Sequence, residues 1–266
     1  MGKLGRYKMK VVILAGGLGT RLSEETDIRP KPMVEIGGYP ILLHIMKIYS
    51  FYGFNDFIIC LGYKGYIIKK YFSEFFLQSN DFTINTKDGQ TIILKDNTPS
   101  WKVTLIDTGL NTLTGGRLLR VKSLIDEENF MMTYGDGVSN IDLKKLLLFH
   151  EEHGKIATLT AVRPPARFGV LKISDKGRIT SFHEKPDDDG AWINAGFFVL
   201  NKEVFDYIGK DEPYFEDYPL KNLAKDGQLF AYKHYGFWHS MDTMSDKRNL
   251  EELWVKGQAE WKIWKD

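Results

Sequence analysis

Cysteine is nearly absent from this sequence: Cys60 is the single one among 266 residues. One thiol cannot form an internal disulfide, so a disulfide-stapled secreted domain is excluded and a cytoplasmic home is expected. An excess of charge is missing too. Thirty-six basic residues face thirty-five acidic ones, leaving a formal net charge of +1. That balance gives no footprint for nucleic acid or for an acidic membrane surface. No stretch approaches the roughly 20 consecutive apolar residues of a membrane-spanning helix. Internal repeats, low-complexity segments and a clear linker are lacking as well. The length suits one large α/β domain.

The N-terminus places basic residues ahead of an apolar run, the order found in signal peptides. That run covers only Val11 to Ala15, then enters glycines and Arg21 with no small-residue cleavage pattern. A buried first strand accounts for it better. Residues 1–8 are expected to be a leader or extension outside the fold, and residues 9–266 a single domain.

Apolar runs and helical periods alternate along the first part of the chain. Val11–Ala15 and "DFIICLGY" read as strands buried on both faces, and Cys60 as a core thiol. "PILLHIMKIYSFYG" starts at a proline and stops at a glycine, as amphipathic helices do, and "GYIIKKYFSEFFL" has the same spacing. This rhythm predicts an α/β fold with a doubly wound, mainly parallel, Rossmann-like sheet. "FTINTKDGQTIIL" breaks it: alternation around Asp88-Gly89 predicts a β-rich hairpin insert with a type I′ turn.

The first strand runs into "LAGGLGTRL". A dinucleotide fingerprint needs a third glycine where Leu22 stands, and a P-loop needs a lysine after its second glycine, which is absent. Two readings remain: a tight strand-to-helix turn, or a looser loop whose N–H groups wrap a phosphate chain. Arg21, Arg29 and Lys31 follow closely, with Lys31 between two prolines that should hold it in an extended segment. Three cations beside a glycine loop suit a triphosphate. Asp136 follows the strand "NFMMTY", at the kind of strand end where open α/β sheets bind ligands. His150 and His153 read as a solvated helix end and not as a metal pair.

"VILAGGLGTRL", "RPKPM", "YGDG", "FGVLKIS", "EKP", "NAGFFVL" and "FWHSMDT" occur in an order and spacing that resemble the sugar-1-phosphate nucleotidylyltransferases. "TYGDGV" and "TGGRLLR" look most like the branch that joins CTP to α-D-glucose 1-phosphate, giving CDP-glucose and pyrophosphate. In bacteria that product feeds dideoxyhexose synthesis for surface polysaccharide. The resemblance implies Arg21, Lys31 and Asp136 as catalytic groups, with Mg²⁺ held by Asp136 and Asp242. It implies nucleotide contacts from Leu14, Ala15, Gly16, Gly17, Gly19, Thr20, Arg21, Lys31 and Asp136. It also implies sugar-phosphate contacts from Tyr134, Gly169, Glu184, Lys185, Asn194 and Gly196.

For the base, uridylyl- and thymidylyltransferases of this family carry a glutamine, which this chain lacks in the matching segment. It has Asp107, Thr108, Gly109, then Gly116 and Arg117. Asp107 or a backbone carbonyl can accept from the cytosine amino group, and Arg117 or a glycine N–H can donate to the ring, unless Arg117 reaches the phosphates instead. Rival readings are a UTP or dTTP enzyme, a non-catalytic nucleotide-sugar sensor, and a glycosyltransferase using Asp187–Asp189. The apolar hairpin and the tryptophan-rich C-terminus predict a homo-oligomer.

Overall fold

The computed structural model describes residues 9–164, 170–175, 177–183, 191–209 and 213–265. Strands from the whole length of the chain feed one seven-stranded sheet. They are β1 (Lys10–Leu14), β2 (Asp56–Leu61), β3 (Lys102–Asp107), β4 (Asn129–Tyr134), β5 (Ala157–Val162), β6 (Ile193–Asn201) and β7 (Leu229–Lys233). Their order is β7-β5-β6-β4-β1-β2-β3. β1 lies parallel to β2 and β4, with Val12 opposite Ile58 and Met132. β6 alone runs antiparallel to both its neighbours, β4 and β5. The mainly parallel expectation therefore holds with one strand reversed.

Successive side chains of a strand point to opposite faces, and both faces here are covered. Val11 and Ile13 enter one core with Phe57, Ile59 and Leu61; Val12 and Leu14 enter the other with Ile58 and Cys60. Helices α1 (Ile41–Phe51), α2 (Gly65–Gln78), α4 (Leu143–His153) and α6 (Met244–Val255) pack on the first face. Helices α3 (Thr114–Arg120) and α5 (Tyr218–Lys225) pack on the second. Burial pushes the Cys60 thiol up to about 12, which keeps it an unreactive core group.

The insert is a hairpin, Asp81–Ile84 paired with Thr91–Lys95. Its turn is not type I′, because Gly89 has φ +75° while Asp88 is not left-handed. Gly89 N–H instead closes a wider loop on the Asn85 carbonyl. Phe82, Ile84, Ile92 and Leu94 are exposed on it.

Two sequence expectations fail at buried histidines and tryptophans. His150 is buried, not solvated, and its Nδ1 shares the Thr158 hydroxyl with His153 Nε2. The C-terminal tryptophans form no exposed patch: Trp261 is buried, and Trp254 and Trp264 pack half-buried against the same core. Trp261 Nε1–H donates to Nδ1 of buried His44, and His44 Nε2 faces the Ile36 carbonyl at 2.9 Å. An indole only donates and a carbonyl only accepts, so His44 is the neutral Nε2–H tautomer. Its pKa is lowered to about 4, chiefly by burial.

Candidate active site

β1 ends at Leu14, and Ala15 N–H still reaches the Cys60 carbonyl. The chain then leaves the sheet as Gly16–Gly19. Beneath this loop lies Arg117 of α3, only 4% exposed. Its Nη2 donates to the carbonyls of Gly16 and Leu110, and its Nη1 to those of Leu61 and Gly109 and to the Thr108 hydroxyl. A Cβ on Gly16 would sit 2.1 Å from that guanidinium, so only glycine lets the arginine approach. The peptide plane is rigid, so turning the Gly16 carbonyl onto Arg117 turns the Gly17 N–H away from it.

This placement gives residues of the "DTG" and "TGGR" stretches partners within the protein, while Arg117 also lines the cavity above the loop. The Arg117 Nη groups donate to four carbonyls and to the Thr108 hydroxyl. The Thr108 hydroxyl is buried between Arg117 and the Leu61 carbonyl, and Asp107 Oδ1 accepts Gly109 N–H. Asp107, Thr108, Gly109 and Gly116 do not line the cavity above the loop.

The cavity above the loop measures about 570 Å³. It is lined by Leu14, Ala15, Gly16, Gly17, Gly19, Thr20, Arg21, Lys31, Tyr134 and Asp136, among others. A second cavity of about 570 Å³ adjoins it, lined among others by Arg21, Tyr134, Asp136, Asn194, Trp238 and Asp242. Arg21, Tyr134 and Asp136 belong to both, so they mark the junction.

Charge concentrates at that junction. Lys31 Nζ lies 2.7 Å from Asp136 Oδ2 and 2.8 Å from Asp242 Oδ1, and Arg21 Nη2 lies 2.9 Å from the same Asp242 oxygen. Lys31 is not extended as expected; Lys31–Met33 is a single 3-10 turn that buries its stem. Burial opposes the Lys31 charge, but Asp136 and Asp242 outweigh it and raise its pKa. Burial likewise opposes ionisation of Asp242, but Lys31, the Ser240 hydroxyl and Arg21 overcome it and hold that carboxyl below its ordinary value. Arg29 is not part of this cluster; it pairs with Glu35 at 2.6 Å on an exposed face.

The two aspartates are far apart in sequence, and a small ribbon joins them. Gly137–Ser139 pairs antiparallel with Trp238–Ser240, and Met241 N–H donates to the Asp136 carbonyl. The "DTMSD" stretch then forms a capping box at α6, with Thr243 and Asp246 satisfying each other's N–H groups. Asp246 also accepts Asp242 N–H, which fixes Asp242 just ahead of the helix.

On the second cavity's wall, Asn194 Nδ2–H donates to the Tyr134 hydroxyl and its Oδ1 accepts Gly196 N–H. Gly196 has φ +80°, and a Cβ there would fall 2.4 Å from the Tyr134 ring. Glu216, which no sequence motif singles out, accepts the Tyr134 hydroxyl proton. Gly169, Glu184, Lys185 and the run Asp187–Asp189 lie outside the described residues. Among the described residues no group of three or more His, Cys, Asp or Glu side chains converges to hold a metal.

The family profile for nucleotidyl transferases matches residues 10–239. A glucose-1-phosphate cytidylyltransferase of Salmonella typhi is 56% identical over 96% of this chain and 100% of its own length. A probable glucose-1-phosphate cytidylyltransferase of Bacillus subtilis is 49% identical over the same shares. Among solved structures, HddC from Yersinia pseudotuberculosis complexed with GMP-PN superposes with a TM-score of 0.66 at 27% identity, over 92% of this chain and 99% of that one. The family model covers the sheet, the glycine loop, Lys31 and Asp136, and with the near full-length relatives it shows that the chain belongs to the nucleotidyl transferase family.

Proposed function

We propose that this enzyme transfers the cytidylyl group of CTP to α-D-glucose 1-phosphate, giving CDP-glucose and pyrophosphate. The observation that carries the reading is the junction where Lys31 bridges Asp136 and Asp242 between two adjoining cavities. Two substrates that must exchange a phosphoryl bond need two pockets meeting at one cationic point. The full-length similarity to glucose-1-phosphate cytidylyltransferases supports both the base and the sugar.

In the reaction a phosphate oxygen of glucose 1-phosphate bonds to the α-phosphorus of CTP, and the bond from that phosphorus to the β-phosphate oxygen breaks. Both reactants are anions, so positioning and charge neutralisation carry the rate, with no covalent nucleophile needed. The first cavity takes CTP, with the glycine-loop N–H groups and Arg21 on its triphosphate. Lys31 has three N–H donors; two are spent on the aspartates, and the third is free to meet a phosphate oxygen. The second cavity takes glucose 1-phosphate against Tyr134, Asn194 and Gly196, with Gly169, Glu184 and Lys185 proposed to complete it. With Arg117 and the Asp107–Gly109 backbone beneath the loop, choice of base rests on the main chain they hold in place.

The donor set fits Mg²⁺. Asp136 and Asp242 already converge on one cation, the Lys31 ammonium. Two carboxylates, completed by phosphate oxygens and water, suit this ion, which is seldom held by all-protein cages. Bound there, it would neutralise charge on the reacting phosphates. The exposed apolar hairpin supports a homo-oligomer, and a lone thiol with no disulfide partner supports a cytoplasmic site of action; the CDP-glucose product would serve surface-polysaccharide synthesis. Light scattering at micromolar concentration tests the assembly; a monomer refutes it.

Pyrophosphate release with CTP, UTP, dTTP and GTP, with and without glucose 1-phosphate and Mg²⁺, tests the reaction. CTP should beat UTP at least tenfold or so in kcat/KM, since one buried unsatisfied group costs about 1–3 kcal/mol. Equal use of UTP, or preference for another nucleotide, overturns the cytidylyl reading and leaves the family.

A further inference from the structure

Glu216 stands on the turn ahead of α5, outside every motif the family resemblance rests on. One carboxylate oxygen accepts the Tyr134 hydroxyl proton, and the other accepts the Thr114 hydroxyl proton at 2.6 Å. Thr114 is itself anchored, its oxygen accepting Phe215 N–H at 2.8 Å. A carboxylate only accepts, so both hydroxyls are forced to donate toward it. With its proton committed, the Tyr134 oxygen can only accept, and it takes Asn194 Nδ2–H at 3.2 Å. Asn194 Oδ1 takes Gly196 N–H at 2.9 Å. The amide is thereby fixed in one of its two orientations, with a second Nδ2 hydrogen left over. Asn194 lines the second cavity, as does Tyr134.

We propose that Glu216 is a positioning residue for the sugar phosphate. Through Tyr134 it locks the Asn194 amide so that an N–H, and not a carbonyl, is presented to an acceptor oxygen of the sugar. The inference rests on the second cavity being the glucose 1-phosphate pocket. Without Glu216 the Tyr134 proton is free to turn toward the amide of Asn194, already its neighbour. That amide then flips, surrenders the Gly196 bond and offers its carbonyl to the pocket.

Steady-state kinetics of Glu216→Ala, Tyr134→Phe and the double variant test this, with melting temperature recorded for each. Glu216→Ala should raise the KM for glucose 1-phosphate about tenfold and leave the KM for CTP within about twofold. In Tyr134→Phe no hydroxyl proton is left to turn onto Asn194 and Gly196 N–H still holds its Oδ1, so the double variant should be no worse than Glu216→Ala alone. Should Glu216→Ala not fold, Glu216→Gln replaces it and is expected to raise the same KM. Unchanged sugar-phosphate KM in the Glu216 variant, equal rises for both substrates, or a double variant worse than Glu216→Ala alone overturn the inference. A wild-type enzyme that releases pyrophosphate only without glucose 1-phosphate overturns the reading of the cavity and this inference with it.

Discussion

Lys31 and His44 are both basic side chains, and both are buried, at 9% and 1% exposure. Their surroundings drive them to opposite states. Lys31 keeps its charge because two carboxylates lie within 3 Å and raise its pKa. His44 gives its charge up: burial outweighs the Ile36 carbonyl and lowers it to about 4, and its ring nitrogens meet one carbonyl and one indole N–H. A buried charge is tolerated where its partners are charged too, and such a cluster is ready for anionic substrates. A buried neutral ring costs less and serves instead to tie the C-terminal segment to α1. Function and stability thus sit at separate clusters, which can be perturbed one at a time.

Removing Trp261 should have the largest effect, and on stability alone. A tryptophan truncated in a core costs about 3–5 kcal/mol. Trp261→Ala should lower the unfolding free energy by that much in urea titration, while turnover per folded molecule stays near wild type. A turnover loss larger than the unfolded fraction explains would couple the two clusters. The converse change comes next. Asp136→Asn and Asp242→Asn should each lower kcat about a hundredfold or more, roughly 3 kcal/mol in barrier, at saturating Mg²⁺. Their melting curves should move little, since Lys31 keeps one carboxylate partner in each. Near-wild-type turnover would remove that aspartate from the site.

The pH response separates the clusters next. An unfolded histidine titrates near 6.5, and folded His44 near 4, so the unfolded chain binds the extra proton between those values. Stability is therefore full above about pH 6.5 and falls as pH drops toward 4, by about 2 kcal/mol for His44 at pH 5. His150, also lowered to about 4, chiefly by burial, adds to the same slope. Lys31, raised, keeps its stabilising charge through this window and loses it only above its ordinary 10.5. Urea midpoints from pH 7 to 5 should show the decline, and His44→Gln should flatten part of it; an unchanged slope would reject this account. The smallest effect belongs to Arg29. Its pair with Glu35 is surface-exposed and worth at most about 1 kcal/mol. Arg29→Ala should leave kcat/KM within about twofold, and a tenfold loss would return it to the substrate site.

Much of the frame is legible in the sequence because local pattern suffices for it. β1, β2, α1 and α2 follow apolar runs and helical spacing, and the glycine loop with its neighbouring cations marks the ligand edge. The reversal of β6 is not legible, because a strand buried on both faces reads the same in either direction. The internal partners of Arg117 are not legible either, because its carbonyl acceptors are scattered from Gly16 to Leu110. Glu216 carries no signal at all: its partners Tyr134 and Thr114 lie on other elements. His150 misleads for a related reason, since the partner that makes burial tolerable, Thr158, sits on the next strand.

Because β6 runs against its neighbours, the ligand edge receives the beginning of one strand beside the end of another: Asn194 stands by Tyr134. The glycine loop, in contrast, hangs from the end of β1 and is braced by α3. The two cavity walls therefore draw on strands of opposite polarity and share Tyr134 of β4. Changes to the first residues of β6 would reshape the second cavity without disturbing the β1–β4 register from which the glycine loop hangs. The cavities can thereby be altered separately at the walls they do not share, while Arg21, Tyr134 and Asp136 stay common to both.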